Sequence, residues 1–383
     1  MPRLAELIAA LDEWFDPRWA EPWDAVGLVC GDPAERVERV LLAVDPVPAT
    51  VAEAIDGGAQ LLITHHPLLL TGVHGVPADD RKGALVHRLI RTGAAHFVAH
   101  TNADVAAPGV SDALGRRLGL ADLRPLEPQD DEPIDKLVVF VPHADAERLV
   151  DALAAAGAGR LGDYDRCAWT TPGEGTFRPL AGARPAIGER GRIERVPETR
   201  VEMIAPRRTR TAIVAALRSA HPYEEPAFDL LAQQPLPSRR GLGRVGELPA
   251  AATLRAFVER AAAALPATTW GVRAAGDADR LVRTVAVCGG SGGSLAGRAS
   301  DADADVFVTA DLKHHPAVEA VSERGPDAMA LVDAAHWATE APWLDAVATA
   351  LRARFGTTVD VRVSAQVTDP WTLHVPSDHS AKP

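Results

Sequence analysis

The sequence predicts an α/β protein in which two intertwined, duplicated α/β halves flank an inserted ferredoxin-like domain. Three observations support this fold class. In both end regions, short runs of aliphatic residues alternate with stretches of helical period, which is typical of a mostly parallel sheet covered on both faces. The middle region has the strand and helix order of a split βαβ unit. Both end regions also place polar side chains where strands end.

The predicted domains are a first α/β half at 1–128, the inserted domain at 135–232 and a second α/β half at 241–373. Two segments rich in proline and polar residues, 124–133 and 233–241, are interpreted as linkers between them. An insert of roughly 95 residues is long enough to fold by itself.

In the first half, apolar runs predict strands and amphipathic stretches predict helices. The strands are expected at 40–44, 60–64 and 96–100, and the helices at 51–55, 84–90 and 111–120.

The insert is expected to contain strand 136–141, a helix from Asp145, a hairpin of 164–171 and 175–180 with Gly173 in its turn, strand 200–204, helix 209–219 and strand 227–231. This β-α-β-β-(β)-α-β order, with one additional strand in parentheses, predicts the ferredoxin-like sandwich.

In the second half, the elements are expected to be helix 254–264, strands 284–288, 305–309 and 329–332, and a final helix through Glu340 and Trp343. A glycine run at 289–294 follows the first of these strands. Chain turning or close packing is the favoured interpretation of this run, and an anion cradle is the alternative.

Composition excludes several classes of protein. The chain has 383 residues, a net charge of -12 and 47% hydrophobic residues, which argues against disorder and against a broad nucleic-acid-binding surface. No apolar stretch approaches the roughly 18 residues of a membrane span, and the N-terminus lacks a secretory pattern. Only Cys30, Cys167 and Cys288 are present, so reduced thiols and a cytoplasmic location are expected.

His65 and His66 follow the predicted strand 60–64, and Pro67 ends that strand. Adjacent side chains on an extended backbone point to opposite sides, so both can face one site only where the backbone turns. Metal binding is one interpretation, and a pair of loop histidines, one solvated and one packed, is the alternative.

A second group of polar residues, 100–104, follows strand 96–100. Asp104 offers a hard oxygen ligand, and His100 and Asn102 could bind a metal or orient its ligands. The alternative is an Asx-turn with a helix cap.

His336 and Glu340 lie four positions apart in a predicted helix, which places their Cβ atoms about 5–6 Å apart on one face. This spacing suits a shared metal, and a neutral surface pair or a capping carboxylate is the alternative. Asp333, at the preceding strand end, is a candidate for orienting His336.

Three histidines and two carboxylates therefore stand at strand ends or helix starts. Five ligands are too many for one catalytic zinc with an open position and suit two divalent ions that share a bridging oxygen. Because the set contains no thiolate, Zn, Fe, Mn or Ni are all chemically acceptable. The predicted ligands are His65, His66, Asp104, His336 and Glu340.

Sequence blocks spread over nearly the whole chain resemble motifs of the NGG-interacting-factor-three-like family, also called GTP cyclohydrolase I type 2 homologues. Ala25 stands where the family motif has Asn, and Ala310 and Ala335 stand where it favours Gly. The segment 221–227 resembles the PII/CutA-like domain of the longer members. The matching blocks are 23–28, 63–68, 100–104, 109–114, 241–246, 288–292, 309–315 and 333–340.

The resemblance implies a dinuclear metal centre held by the same five ligands, in a toroidal homohexamer whose sites face an internal cavity. It also implies hydrolysis of a small, nucleotide-like substrate: GTP and water would yield dihydroneopterin triphosphate and formate. His100, Lys313 and His314 are the candidates for proton transfer or phosphate contact. The alternative is a non-catalytic, hexameric metal-binding or regulatory protein that uses its PII-like insert as a sensor or docking domain.

Overall fold

The computed structural model describes residues 1–322 and 328–375. The chain forms two compact units: one joins Met1–Gln129 to the described residues from Arg239 onward, and the other is Asp130–Ser238. Among the described residues, no helix combines the length and apolarity needed to span a membrane.

In chain order, the strands are β1 (Gly27–Cys30), β2 (Arg39–Ala43), β3 (Leu61–Thr64), β4 (Ala95–Val98), β5 (Ala121–Asp130), β6 (Ile134–Pro142), β7 (Trp169–Phe177), β8 (Glu194–Pro206), β9 (Phe228–Ala232), β10 (Pro237–Thr253), β11 (Val272–Ala275), β12 (Leu281–Val287), β13 (Val306–Ala310), β14 (Ala330–Ala334) and β15 (Asp360–Val363). The helices are α1 (Leu4–Trp14), α2 (Pro48–Asp56), α3 (Arg81–Arg91), α4 (Thr101–Val105), α5 (Val110–Arg117), α6 (Ala146–Ala155), α7 (Arg210–Ala220), α8 (Leu254–Ala264), α9 (Ala296–Asp301), α10 (His314–Ser322) and α11 (His336–Phe355).

The first unit contains two sheets that exchange strands between the halves of the sequence. One sheet has the order β1-β4-β3-β2-β15, and the other has the order β11-β14-β13-β12-β10-β5. The C-terminal strand β15 pairs in parallel with β2, while β5 joins the sheet of the second half. The predicted α/β fold with intertwined halves is therefore confirmed.

Parallel pairing brings the polar strand ends of each half to one sheet edge. In the first sheet, β3 pairs in parallel with β2 and β4, so that Thr64 lies opposite both Ala43 and Val98. In the second sheet, β13 and β14 are parallel through Ala310 and Ala334. The loops that leave these strands therefore begin at neighbouring positions.

A single large hydrophobic cluster of the first unit draws side chains from both halves. Trp343 of α11 is 1% exposed and packs against Phe15, with ring centroids 5.5 Å apart. This packing fixes the first turns of α11, which carry His336 and Glu340.

The predicted linkers contain the boundaries between the two units, at 129/130 and 238/239, but they form strands instead of irregular segments. Segment 124–133 lies largely within β5, and segment 233–241 runs into β10. The two strands pair with each other, and β5 is the outer strand of its sheet. Proline is compatible with an edge strand because the position of its missing backbone N–H can face solvent, so no hydrogen bond between strands is lost. Composition alone could not reveal this long-range pairing.

The second unit has the four-stranded order β7-β8-β6-β9 with α6 and α7 packed together, which is the ferredoxin-like arrangement. The predicted hairpin with a turn at Gly173 was wrong. Gly173 lies inside β7 and pairs with Glu198, because β7 and β8 run antiparallel over the whole of β7.

Candidate metal centre

The two histidines at the end of β3 both face the same site. His65 is almost completely buried, and its ring centroid lies 5.1 Å from that of His66. The backbone N–H groups of His65 and His66 bond the carbonyls of Ala43 and Val44, so pairing with the neighbouring chain continues beyond β3.

Three histidine side chains converge on Glu340, which is 3% exposed. The Nε2 atoms of His336 and His66 lie 3.0 Å and 3.1 Å from its carboxylate oxygens. Nε2 of His65 lies 3.5 Å from Oε1 of Glu340 and 3.7 Å from Oδ1 of Asp104. The structure therefore brings together all five residues that the sequence predicts as ligands.

His100 joins this group. Its ring centroid lies 5.1 Å from that of His65 and 5.5 Å from that of His66. Donor atoms of these three histidines lie within 4.8 Å of one another, and so do those of His66, His336 and Glu340. His66 is common to both sets, so the described residues offer two adjoining groups of ligand atoms.

Each histidine is held through Nδ1, which leaves Nε2 directed at the centre. An imidazole fixed in this way has a defined tautomer and ring orientation, as metal-bound histidines usually do. The Nδ1 partners are the Ala99 carbonyl for His65 at 2.9 Å, Asp45 for His66 at 2.7 Å, Asp24 for His100 at 2.8 Å and Asp311 for His336 at 2.6 Å.

The residues present fit a divalent cation. Nε2 of His65 is buried without a hydrogen-bond partner among the described residues, since the carboxylate oxygens of Glu340 and Asp104 are 3.5 Å and 3.7 Å from it, and this is a costly condition for a polar atom unless another group satisfies it. Imidazole and carboxylate donors suit Zn, Fe, Mn or Ni. Cys288 is nearby, but burial raises the pKa of its thiol to about 12, so it stays a neutral packing residue.

The charges within the cluster are strongly coupled. Burial raises the pKa of Glu340, but the facing imidazoles of His66 and His65 outweigh burial and hold that pKa well below its usual range. Burial lowers the pKa of His66, and the carboxylates of Glu340 and Asp45 overcome it and raise that pKa to about 11. Binding of a cation at this centre would therefore displace protons from the histidines.

The other two predicted site residues lie elsewhere. His314 begins α10 and contacts the ring of His315. It lines a cavity with Arg273 and Leu331, which none of the five predicted ligands lines. Lys313 precedes it and is exposed.

Sequence reasoning missed the carboxylates that hold the histidines. Asp333, the predicted partner of His336, instead forms an ion pair with Arg273, and Asp311 bonds His336. Asp45 and Asp311 follow β2 and β13, so their position after strands could have identified them. Asp24 carried no such signal, because it lies in an irregular segment.

A model of the family Duf34/NIF3 (NGG1p interacting factor 3) matches residues 2–370. The chain belongs to the Duf34/NIF3 family. Two relatives are each named GTP cyclohydrolase 1 type 2 homolog. The Mycobacterium leprae protein is 52% identical over 97% of this chain and 95% of its own length. The Bacillus subtilis protein is 36% identical over 96% of this chain and 97% of its own length.

Two solved structures share this fold. A Bacillus cereus protein related to NIF3 is 34% identical, with a TM-score of 0.75 over 97% of this chain and 99% of that chain. A Staphylococcus aureus protein is 28% identical, with a TM-score of 0.81 over the same shares.

Proposed function

We propose that this Duf34/NIF3 protein is a hydrolase that depends on two divalent metal ions. The observation that carries this proposal is the convergence of three Nε2 atoms, from His65, His66 and His336, on the buried carboxylate of Glu340. Asp104 completes the proposed ligand set from the side of His65. The name shared by the Mycobacterium leprae and Bacillus subtilis relatives supports hydrolysis of GTP to dihydroneopterin triphosphate and formate.

A pair of divalent ions supplies Lewis acidity, which activates water and polarises a bound substrate. The chain provides the ligand field and its orientation. The carboxylates of Asp45 and Asp311 accept hydrogen bonds from the Nδ1–H groups of His66 and His336. Each ring therefore keeps its proton on Nδ1, and Nε2 is unprotonated when a cation is bound.

His100 is the proposed site of proton transfer. Asp24 holds its Nδ1, and the N–H of Thr101 also donates to Asp24. Burial raises the pKa of Asp24, but its bonds to His100 and Thr101 outweigh burial and keep that pKa far below its usual range. Because Asp24 remains ionised, Nε2 of His100 can accept a proton while Nδ1 keeps its own.

The remaining proposals follow the family resemblance. We propose a cytoplasmic homohexamer with its centres facing an internal cavity. Measurement of the mass in solution tests the hexamer: a protein that remains monomeric at micromolar concentration would contradict it.

The experiment for the hydrolase combines elemental analysis of gently purified protein with turnover of GTP and of a panel of nucleotides and cyclic amides. His336→Ala and Glu340→Gln are expected to lower metal content and abolish turnover, whereas His315→Ala, an exposed histidine outside the cluster, is the matched control. Turnover that survives both chelation and His336→Ala would contradict the proposal.

A second candidate function is a metal-binding regulator with a ligand-sensing insert. A cavity of about 580 Å³ in the ferredoxin-like unit favours it, with Phe140, Phe177 and Tyr223 among its lining residues. Stoichiometric metal without turnover of any substrate in the panel would favour this candidate over the hydrolase.

A further inference from the structure

A cavity of about 430 Å³ borders the candidate metal centre. His66 and His336 form part of its wall, and Trp270, Trp337 and Trp371 form much of the remainder. Its volume falls within the range of small-molecule sites, and an aromatic lining with a few polar groups is typical of them.

Two polar atoms in this wall are buried without a hydrogen-bond partner among the described residues. They are Nε1 of Trp270, a donor, and Oδ2 of Asp369, an acceptor. Native proteins retain few such groups because leaving them unsatisfied is costly. A ligand that offers an acceptor to Trp270 and a donor to Asp369 would satisfy both atoms.

The wall that carries these atoms is held in place. The rings of Trp371 and Trp270 are 5.8 Å apart and inclined by 37°. The Arg273 guanidinium lies 4.4 Å from the centre of the Trp270 ring, and its ion pair with Asp333 fixes it there. A ligand would therefore meet a preorganised surface.

We propose that this cavity binds a planar cyclic amide or amidine and presents it to the metal centre, an inference that rests on the proposed hydrolase function. A ring N–H donates to Asp369, the adjacent carbonyl or imine nitrogen accepts from the indole N–H of Trp270, and the ring lies against the tryptophans. Asp45 and Asp311 also line the cavity, where they bond His66 and His336, so recognition is proposed to depend on the hydrogen-bonding edge of the ring rather than on the charge of the wall.

The test is a titration of the protein as purified, and again after chelation, followed by tryptophan fluorescence and calorimetry. Guanosine is the probe because it carries an N–H beside a carbonyl. N1-methylguanosine lacks that donor, and ribose 5-phosphate lacks the ring. Guanosine is expected to bind at least tenfold more tightly than N1-methylguanosine, and ribose 5-phosphate is expected not to compete. Equal affinity for the two nucleosides, or no binding of either, would overturn the proposal.

Variants test the two polar atoms separately. Asp369→Ala and Trp270→Phe are each expected to weaken guanosine binding about tenfold or more, and melting curves establish that they fold. Trp169→Phe, at an exposed tryptophan of the other unit, controls for the loss of an indole. Binding without turnover would support this binding site and contradict the hydrolase proposal. Turnover with unchanged affinity in both variants would contradict this binding site and support the hydrolase proposal.

Discussion

The backbone of Gly290 lies directly against the side chain of Glu340 in the candidate metal centre. Gly290 has a φ of +65°, and its N–H donates to Oγ1 of Thr339 on the first turn of α11. A methyl group at this position would overlap Oε1 of Glu340 and lie 3.1 Å from Nε2 of His336. The glycine turn after β12 thus leaves room for both side chains, in agreement with the close-packing interpretation of this run.

Gly290→Ala is therefore expected to weaken metal binding by roughly 10- to 100-fold, the effect of losing a partner that orients a ligand. The added Cβ must displace the Glu340 carboxylate, and the positive φ strains the alanine. Gly293→Ala is the matched control, since its nearest neighbour would be 3.7 Å away. Competition with a chromophoric chelator measures the affinity, and equal affinities in the two variants would contradict the expectation.

The carboxylate of Asp311 gives a second prediction. Asp311→Asn should weaken metal binding by roughly 10- to 100-fold, because the neutral amide holds Nδ1 of His336 less strongly. Asparagine suits this position because the backbone has a φ of +55°. Asp301→Asn, at an exposed aspartate, is the control. The same chelator competition reports the result, and a variant that matches wild-type affinity would show that Asp311 does not tune the ligand.

The site could be predicted from sequence as far as its residues follow regular elements. His65, His336 and Glu340 stand beside strands and helices whose apolar patterns are clear, and parallel strands deliver such ends to one edge. The partners that fix each Nδ1 were missed because those contacts join residues far apart in the chain. Asp24 and His100, for example, are separated by 76 positions.

The wrong predictions of fold elements also arose because contacts between residues far apart in the chain decide the structure. Strand β5 pairs with β10, which also pairs with β12, whereas the proline content of 124–133 and 233–241 locally favours linkers. The sequence predicts a turn at Gly173, but β8 pairs with the residues on both sides of Gly173, which places it inside a strand. Tertiary pairing outweighed local propensity at each of these positions.

Arg244 provides a prediction on stability. It is 1% exposed, its Nη2 lies 2.7 Å from Oδ2 of Asp112 on α5, and its Nη1 donates to the carbonyls of Gly241 and Gly243. Arg244→Met would leave the buried Asp112 carboxylate with only the exposed Arg116, 3.9 Å away, as a counter-charge, which should lower the free energy of unfolding by about 3–5 kcal/mol.

Urea denaturation measures this loss. The double variant Arg244→Met/Asp112→Leu should recover part of it, since no unpaired charge remains. It should not recover all, because Asp112 also accepts from the backbone N–H of Gly109. A loss below about 1 kcal/mol in the single variant would show that Asp112 is solvated rather than paired.

The buried side chain of His96 gives a prediction of how the free energy of unfolding depends on pH. Its side chain on β4 is fully buried, and Nε2 bonds Oγ1 of Thr64 at 2.8 Å. Burial lowers its pKa from the ordinary 6.5 to about 4. Between these values, the unfolded chain binds a proton that the folded chain does not. The free energy of unfolding should therefore fall as the pH drops from 6.5 to 4, with a contribution of about 3 kcal/mol at most.

His96→Leu removes this proton uptake and should reduce the slope of stability against pH in that window, although losing the bond to Thr64 lowers stability at every pH. His74→Leu, at an exposed histidine, is the matched control and should keep the wild-type slope. Urea midpoints recorded from pH 7 to pH 4 give both slopes. If His96→Leu retains the wild-type slope, His96 gains its proton in the folded chain and burial does not exclude the charge.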